Sequence, residues 1–81
     1  MTANVALNPL HRLATGRKAT IAGISVSPEF SHRLSALGLR VGEMIEVVRR
    51  APFAGPLHLR IGTTDVIMRR QDAAGITVVF A

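Results

Sequence analysis

Between Ser27 and Glu43 the chain carries its own start and stop signals for a helix, and they constrain the fold more than any other stretch. Ser27 offers a side-chain oxygen to an orphan amide of the first turn. Pro28 suits the first helical position, where its missing N–H has no partner to lose, and Glu29 lies at the positive end of the helix dipole. Phe30, Leu34 and Leu37 recur at the spacing of one helical face, which predicts that Leu34 and Leu37 anchor the helix on the core. Gly38 supplies the left-handed residue that ends the helix, and Leu39 folds back as the apolar partner of its last turn. Arg40-Val41-Gly42-Glu43 then fits a type II turn with Gly42 at the position that demands positive φ.

The rest of the chain reads as short strands. Residues 1–8 are small, mildly apolar and aperiodic, a flexible tail ahead of a single domain spanning 9–81. Pro9 to Leu13 form a short turn, with Leu10 and Leu13 over one end of the core. Arg17 to Val26 lean towards β structure, with Gly23 marking a bulge where Ile21 and Ile24 fall out of phase. Met44 to Arg50 alternate, Ile45 and Val47 inward. Two prolines and a glycine make 51–56 a loop, with Phe53 at its tip within reach of a partner. Leu57-His58-Leu59-Arg60-Ile61 is the cleanest half-buried strand of the sequence. Gly62 to Asp65 turn the chain into Val66-Ile67-Met68, Arg69 to Gly75 make one helical turn, and Ile76 to Phe80 close the chain with Ile76, Val78 and Phe80 inward. Five strands with one short helix between the first and second predict a mainly β fold, a small partly closed barrel, since closure removes exposed edges.

Composition limits the chemistry. At 81 residues there is room for one modest core, and three Phe with no Trp or Tyr leave that core to Val, Ile and Leu. Without cysteine there is no disulfide, thiolate nucleophile or zinc ribbon, as suits a reducing cytoplasm. No apolar run reaches the roughly 20 residues that cross a bilayer, and the N-terminus lacks a signal pattern, so a cytoplasmic protein without membrane insertion is expected. The net charge is +5, and nine of the ten basic residues are Arg, whose planar fork suits carboxylate and phosphate partners.

Taken together, Ser27-Pro28, Arg33-Leu34 and Leu37-Gly38-Leu39 followed by Gly42 carry a resemblance. Val47-Val48-Arg49 with Ala51-Pro52, Pro56-Leu57-His58-Leu59, Met68-Arg69-Arg70 and Asp72-Ala73 extend it from Gly16 to Val79. In this order and spacing they resemble the FeoA family, small cytoplasmic accessories of the bacterial ferrous iron transporter FeoB. The resemblance implies an SH3-like barrel and a regulatory binding protein that docks on the cytoplasmic GTPase region of FeoB, at the inner face of the membrane, and tunes iron uptake. Val41 departs from the family's frequent proline, and Ala54-Gly55-Pro56 stands where Gly-Asp-Pro is common. The same barrel is similar to the C-terminal domain of iron-dependent repressors, whose helix-turn-helix and dimerisation segments are not found in these residues.

No catalytic set is present: there is no phosphate loop, no His-Glu-x-x-His and no nucleophile beside a base, so a binding module rather than an enzyme is expected. The contact candidates are Leu34 on the helix together with Arg49, Arg50, Phe53, Arg69 and Arg70, because Arg and aromatic residues are favoured interface anchors. No cofactor is required. His11, His32 and His58 fall on three separate segments, so a transition metal such as zinc is expected only as an adventitious or chain-bridging ion. Its weak candidates are Glu29, His32 and Glu43 from each of two molecules, in a monomer or a weak, metal-bridged homodimer. The alternative class is a small basic barrel binding nucleic acid, disfavoured by the lack of stacking aromatics.

Overall fold

The computed structural model describes residues 7–80. Six strands form one antiparallel sheet: β1 (Asn8–Pro9), β2 (Lys18–Ile24), β3 (Met44–Arg50), β4 (Leu57–Ile61), β5 (Thr64–Met68) and β6 (Ile76–Phe80). Their order in the sheet is β1-β6-β2-β3-β4-β5. A 3-10 turn at Leu10–Arg12 follows β1, helix α1 (Pro28–Ala36) links β2 to β3, and the single helical turn α2 (Arg70–Ala73) links β5 to β6. The mainly β architecture and the placement of the helix follow the sequence reading. The strand count does not, because β1 adds a sixth strand. Two residues carry no periodicity of their own, and Asn8 and Pro9 become a strand only by pairing with Val78 and Thr77 of β6. Pro9 is tolerated there because an edge strand needs fewer ladder donors. The sheet is open, with β1 and β5 as its edges. Residues 1–6 of the expected tail lie outside the described residues, whereas Asn8 belongs to the sheet.

Helix α1 begins and ends as its residues dictate. The Phe30 amide donates to the Ser27 hydroxyl at 3.2 Å, with Pro28 in the first turn. At the other end Leu39 N–H donates to the Leu34 carbonyl and Gly38 N–H to the Ser35 carbonyl, each at 3.0 Å, with Gly38 at φ +95°. This pair of bonds is the Schellman closure, and it turns Leu39 back to lie in the core beside Leu34. Leu37, expected on the anchoring face, is 45% exposed instead. It occupies the cap itself, and the buried position one helical turn beyond Leu34 is taken by Leu39. The next turn closes by a bond from Glu43 N–H to the Arg40 carbonyl at 3.1 Å, with Gly42 at φ +96° as a type II turn requires.

The core is aliphatic, built on Leu10, Leu13, Ile21, Leu34, Leu39, Ile45, Val47, Leu57, Leu59, Met68, Ile76 and Val78, and no charged or polar side chain among the described residues is buried in it. The β2–β6 register shifts between Ile21 and Gly23, the bulge expected at that glycine. A second shift between Val47 and Arg49 changes the phase of β3. Gly75 is required by contact rather than by φ: a Cβ there would collide with the Ser25 carbonyl oxygen. Phe80, expected inward, is exposed at the end of β6, with the Arg17 guanidinium 3.9 Å from its ring centroid. The strand has outrun the core there, and a cation over the ring takes the place of packing. No helix among the described residues is long and apolar enough to cross a membrane.

Candidate functional site

The loop from Ala51 to Pro56 departs most from ordinary backbone chemistry. Its ends are tied by a bond from Ala51 N–H to the Pro56 carbonyl at 3.0 Å, and Gly55 N–H closes a tighter turn onto the Pro52 carbonyl at 3.2 Å. Within that turn Phe53 and Ala54 have φ of +60° and +56°. Positive φ at both central positions is the type I′ pattern, which normally calls for Asn and Gly. Here a Phe and an Ala adopt it, and the Phe53 side chain is 99% exposed. A strained pair of residues thus presents the largest apolar side chain of the loop to solvent.

Beside this loop lies an open notch of about 430 Å³, lined by His11, Ala54, Gly55, Pro56, Arg69, Arg70, Gln71 and Ala74. Three segments far apart in sequence build it: the 3-10 turn after β1, the β3–β4 loop, and α2 with the residue before it. Arg50 holds two of them together. The bulge in β3 places Arg50 opposite core-facing Leu57, and its guanidinium donates to the carbonyls of His11 and Leu13. Burial, and then the guanidinium groups of Arg70, Arg12 and Arg50, hold the His11 imidazole below its ordinary value near 6.5. Its Nδ1 is buried without a hydrogen-bond partner.

The expected contact residues separate into three groups. Arg69 and Arg70 are exposed in the notch lining and Phe53 is exposed in the loop beside it, although Arg69 also pairs with Asp72 at 3.5 Å. Arg49 is exposed but pairs with His58 on the outer face of the sheet, away from the notch lining. Leu34 is 2% exposed and Arg50 is committed to backbone carbonyls. Both are therefore corrected: Leu34 is a core residue, and Arg50 is a strap, bent inward by a bulge that strict alternation could not foresee. His11 was missed as a site residue, because only the long-range bond to Arg50 brings it beneath the loop.

On the outer face the hairpin turn is tighter than the expected four residues. Ile61 pairs with Thr64, which leaves Gly62 and Thr63 alone in the turn and aligns Asp65 with Arg60. Arg60 Nε donates to Asp65 Oδ1 at 2.8 Å, and His58 Nε2 lies 3.2 Å from Asp65 Oδ2. The hydrogen bond from Arg60 is the main reason the Asp65 carboxyl is held below the usual carboxylate range. The metal candidates Glu29, His32 and Glu43 are exposed on α1 and the turn that follows it. Among the described residues there is no group of three or more His, Cys, Asp or Glu side chains placed to hold a metal ion.

Residues 8–79 match the FeoA domain model. The Fe(2+) transport protein A/Fe(2+) transporter FeoB fusion protein of Porphyromonas gingivalis is 38% identical over 69 residues, which are 85% of this chain and 8% of the relative. The chain therefore spans less than a tenth of that relative's length. The solution structure of the FeoA protein from Chlorobium tepidum is 33% identical and superposes with a TM-score of 0.86, covering 90% of this chain and 70% of that one. A Stenotrophomonas maltophilia FeoA complexed with zinc, named as a prokaryotic SH3 domain protein, has a TM-score of 0.72 at 24% identity over 94% of this chain and 89% of that one. The open six-stranded sheet is thus SH3-like, and with nearly the whole described length matching one domain model, the chain belongs to the FeoA family.

Proposed function

We propose that this protein is an accessory of bacterial ferrous iron transport: in the cytoplasm it docks on the GTPase region of an FeoB-type transporter and tunes uptake by binding rather than by catalysis. The observation that carries this reading is the Porphyromonas gingivalis relative, in which a segment like this chain is joined to the transporter in one polypeptide. Segments fused in one protein act at high effective concentration on each other, and separate chains of the same kind are expected to meet by affinity instead. The exposed Phe53 of the 51–56 loop and the arginines Arg69 and Arg70 of the adjoining notch supply anchors of the type that interfaces favour. Co-purification of the tagged chain with the transporter, and reduced ferrous iron uptake on its deletion, are the expected results. Absence of both would remove the reading.

A zinc ion, as in the Stenotrophomonas maltophilia relative, would here have to be shared between molecules. Glu29 and His32 lie three residues apart on α1 and Glu43 follows in the turn, all exposed, so each chain offers few ligands. Tight one-to-one zinc binding by a dilute monomer in a calorimetric titration would refute this arrangement.

A further inference from the structure

We infer that the notch between the 51–56 loop and α2 receives an acidic segment of the partner protein, with a carboxylate drawn to Arg70 and His11 and a neighbouring apolar side chain packed on Phe53. This rests on the proposed association with the transporter and adds to it the surface used and the chemistry it recognises.

Three observations converge on this surface. Its lining contains Arg69, Arg70 and His11 but no acidic residue, and the guanidinium groups of Arg70, Arg12 and Arg50 all bear on His11 with the same sign. Arg50 is already satisfied by two carbonyls and Arg69 is shared with Asp72, which leaves Arg70 as the lining cation without an ion pair among the described residues. Second, Ala54, Gly55, Pro56 and Ala74 give the notch an uncharged wall against which an apolar chain can lie. Third, the loop holds Phe53 fully in solvent through two consecutive left-handed non-glycine residues, a conformation that costs energy and gains no packing within the chain. An interface anchor explains that cost, since buried aromatic side chains contribute heavily once a partner covers them.

The charge pattern also selects the occupant. The chain carries +5 overall, and its five acidic residues, Glu29, Glu43, Glu46, Asp65 and Asp72, are scattered with no two adjacent. These 81 residues offer no acidic run to the notch, which favours the transporter's cytoplasmic region, the partner proposed above, as the occupant. Nucleic acid would bring negative charge, but the notch lining holds no Phe, and the exposed Phe53 of the adjoining loop is by itself a poor stacking platform.

The test is calorimetric titration of the purified cytoplasmic region of the transporter into the full chain and into Phe53→Ala, Arg70→Glu and Arg49→Glu variants. All three substituted side chains are exposed, and unchanged thermal melts will show that the variants fold. Phe53→Ala and Arg70→Glu are each expected to weaken binding by about tenfold or more, with Arg49→Glu close to the parent. Binding by the parent that survives both notch variants would overturn the notch while leaving the association intact. Equal weakening by Arg49→Glu would also overturn it, as diffuse charge attraction. No binding by the parent would sink the association and the notch together. A single-stranded oligonucleotide is titrated alongside, and an equal dependence on Arg70 there would reveal a general polyanion surface instead.

Discussion

Among the connections that use left-handed backbone, two use it in opposite ways. Between β2 and β3 the positive φ values fall on Gly38 and Gly42, where they cost little and let Gly38 and Leu39 N–H close the helix end onto the Ser35 and Leu34 carbonyls. Between β3 and β4 they fall on Phe53 and Ala54, where a Cβ meets the resistance that glycine avoids. The first connection buries Leu34 and Leu39 and serves the fold. The second buries neither of its left-handed residues and exposes Phe53 almost completely. On the proposal made above, strain without a packing return beside a basic notch marks a surface kept for a partner, in contrast to one kept for stability.

Leu34→Ala should produce the largest effect, a loss of about 2–5 kcal/mol in urea unfolding, because the helix's one buried side chain leaves a cavity. Phe53→Ala should change the same measurement by less than about 0.5 kcal/mol. Comparable losses from both would mean that the loop packs on the core after all, and the contrast would collapse.

A smaller effect sharpens the comparison at the backbone. Gly38→Ala should destabilise by about 1–2 kcal/mol, the cost of an L-residue in the left-handed region. Ala54→Gly should act in the other direction: it relieves about the same strain but returns about 0.5–1 kcal/mol of chain entropy to the unfolded state. Thermal melts are expected to move down for the first and slightly up for the second. Shifts of the same sign would show that the 51–56 loop carries no strain.

The smallest effect concerns pH. His11 is held below its ordinary value near 6.5 by burial and by Arg70, Arg12 and Arg50, so the folded protein takes up its proton later than the unfolded chain does. Its contribution to stability is therefore complete above the unfolded value and declines as pH falls from there through the folded one. Melting midpoints should drop as pH falls below the ordinary imidazole value near 6.5, and His11→Gln should make that drop shallower. An unchanged slope in the variant would place His11 in ordinary solvent. The Asp65 pair acts in a separate window, because a lowered carboxyl loses its contribution only at more acidic pH, below the usual carboxylate range.

Much of the fold was legible because its signals are local. Ser27, Pro28 and Gly38 specify the helix ends through bonds spanning three to five residues, and the alternation of Leu57 to Ile61 specifies a half-buried strand without reference to any partner. Misreadings arose where the partner is distant or the phase slips. The pairing of Asn8 with Val78 gave no sign in two residues, and the bulge after Val47 turned Arg50 from an outward contact into an inward strap. Leu37 was misassigned because the chain reversal at Gly38, and not the helical period, ends the buried face, while Leu39 folds back as its place after the glycine predicts.

The sequence by itself determined a single aliphatic-cored, mainly β chain with one delimited helix, a net positive charge and a reachable Phe53. Those properties depend on residue type and on near neighbours. Only the tertiary structure decided that His11, the 51–56 loop and α2 share a notch, that Arg50 belongs to the framework, and that Phe53 is held out at a cost. Each of those is fixed by contacts between residues tens of positions apart, which no local pattern encodes.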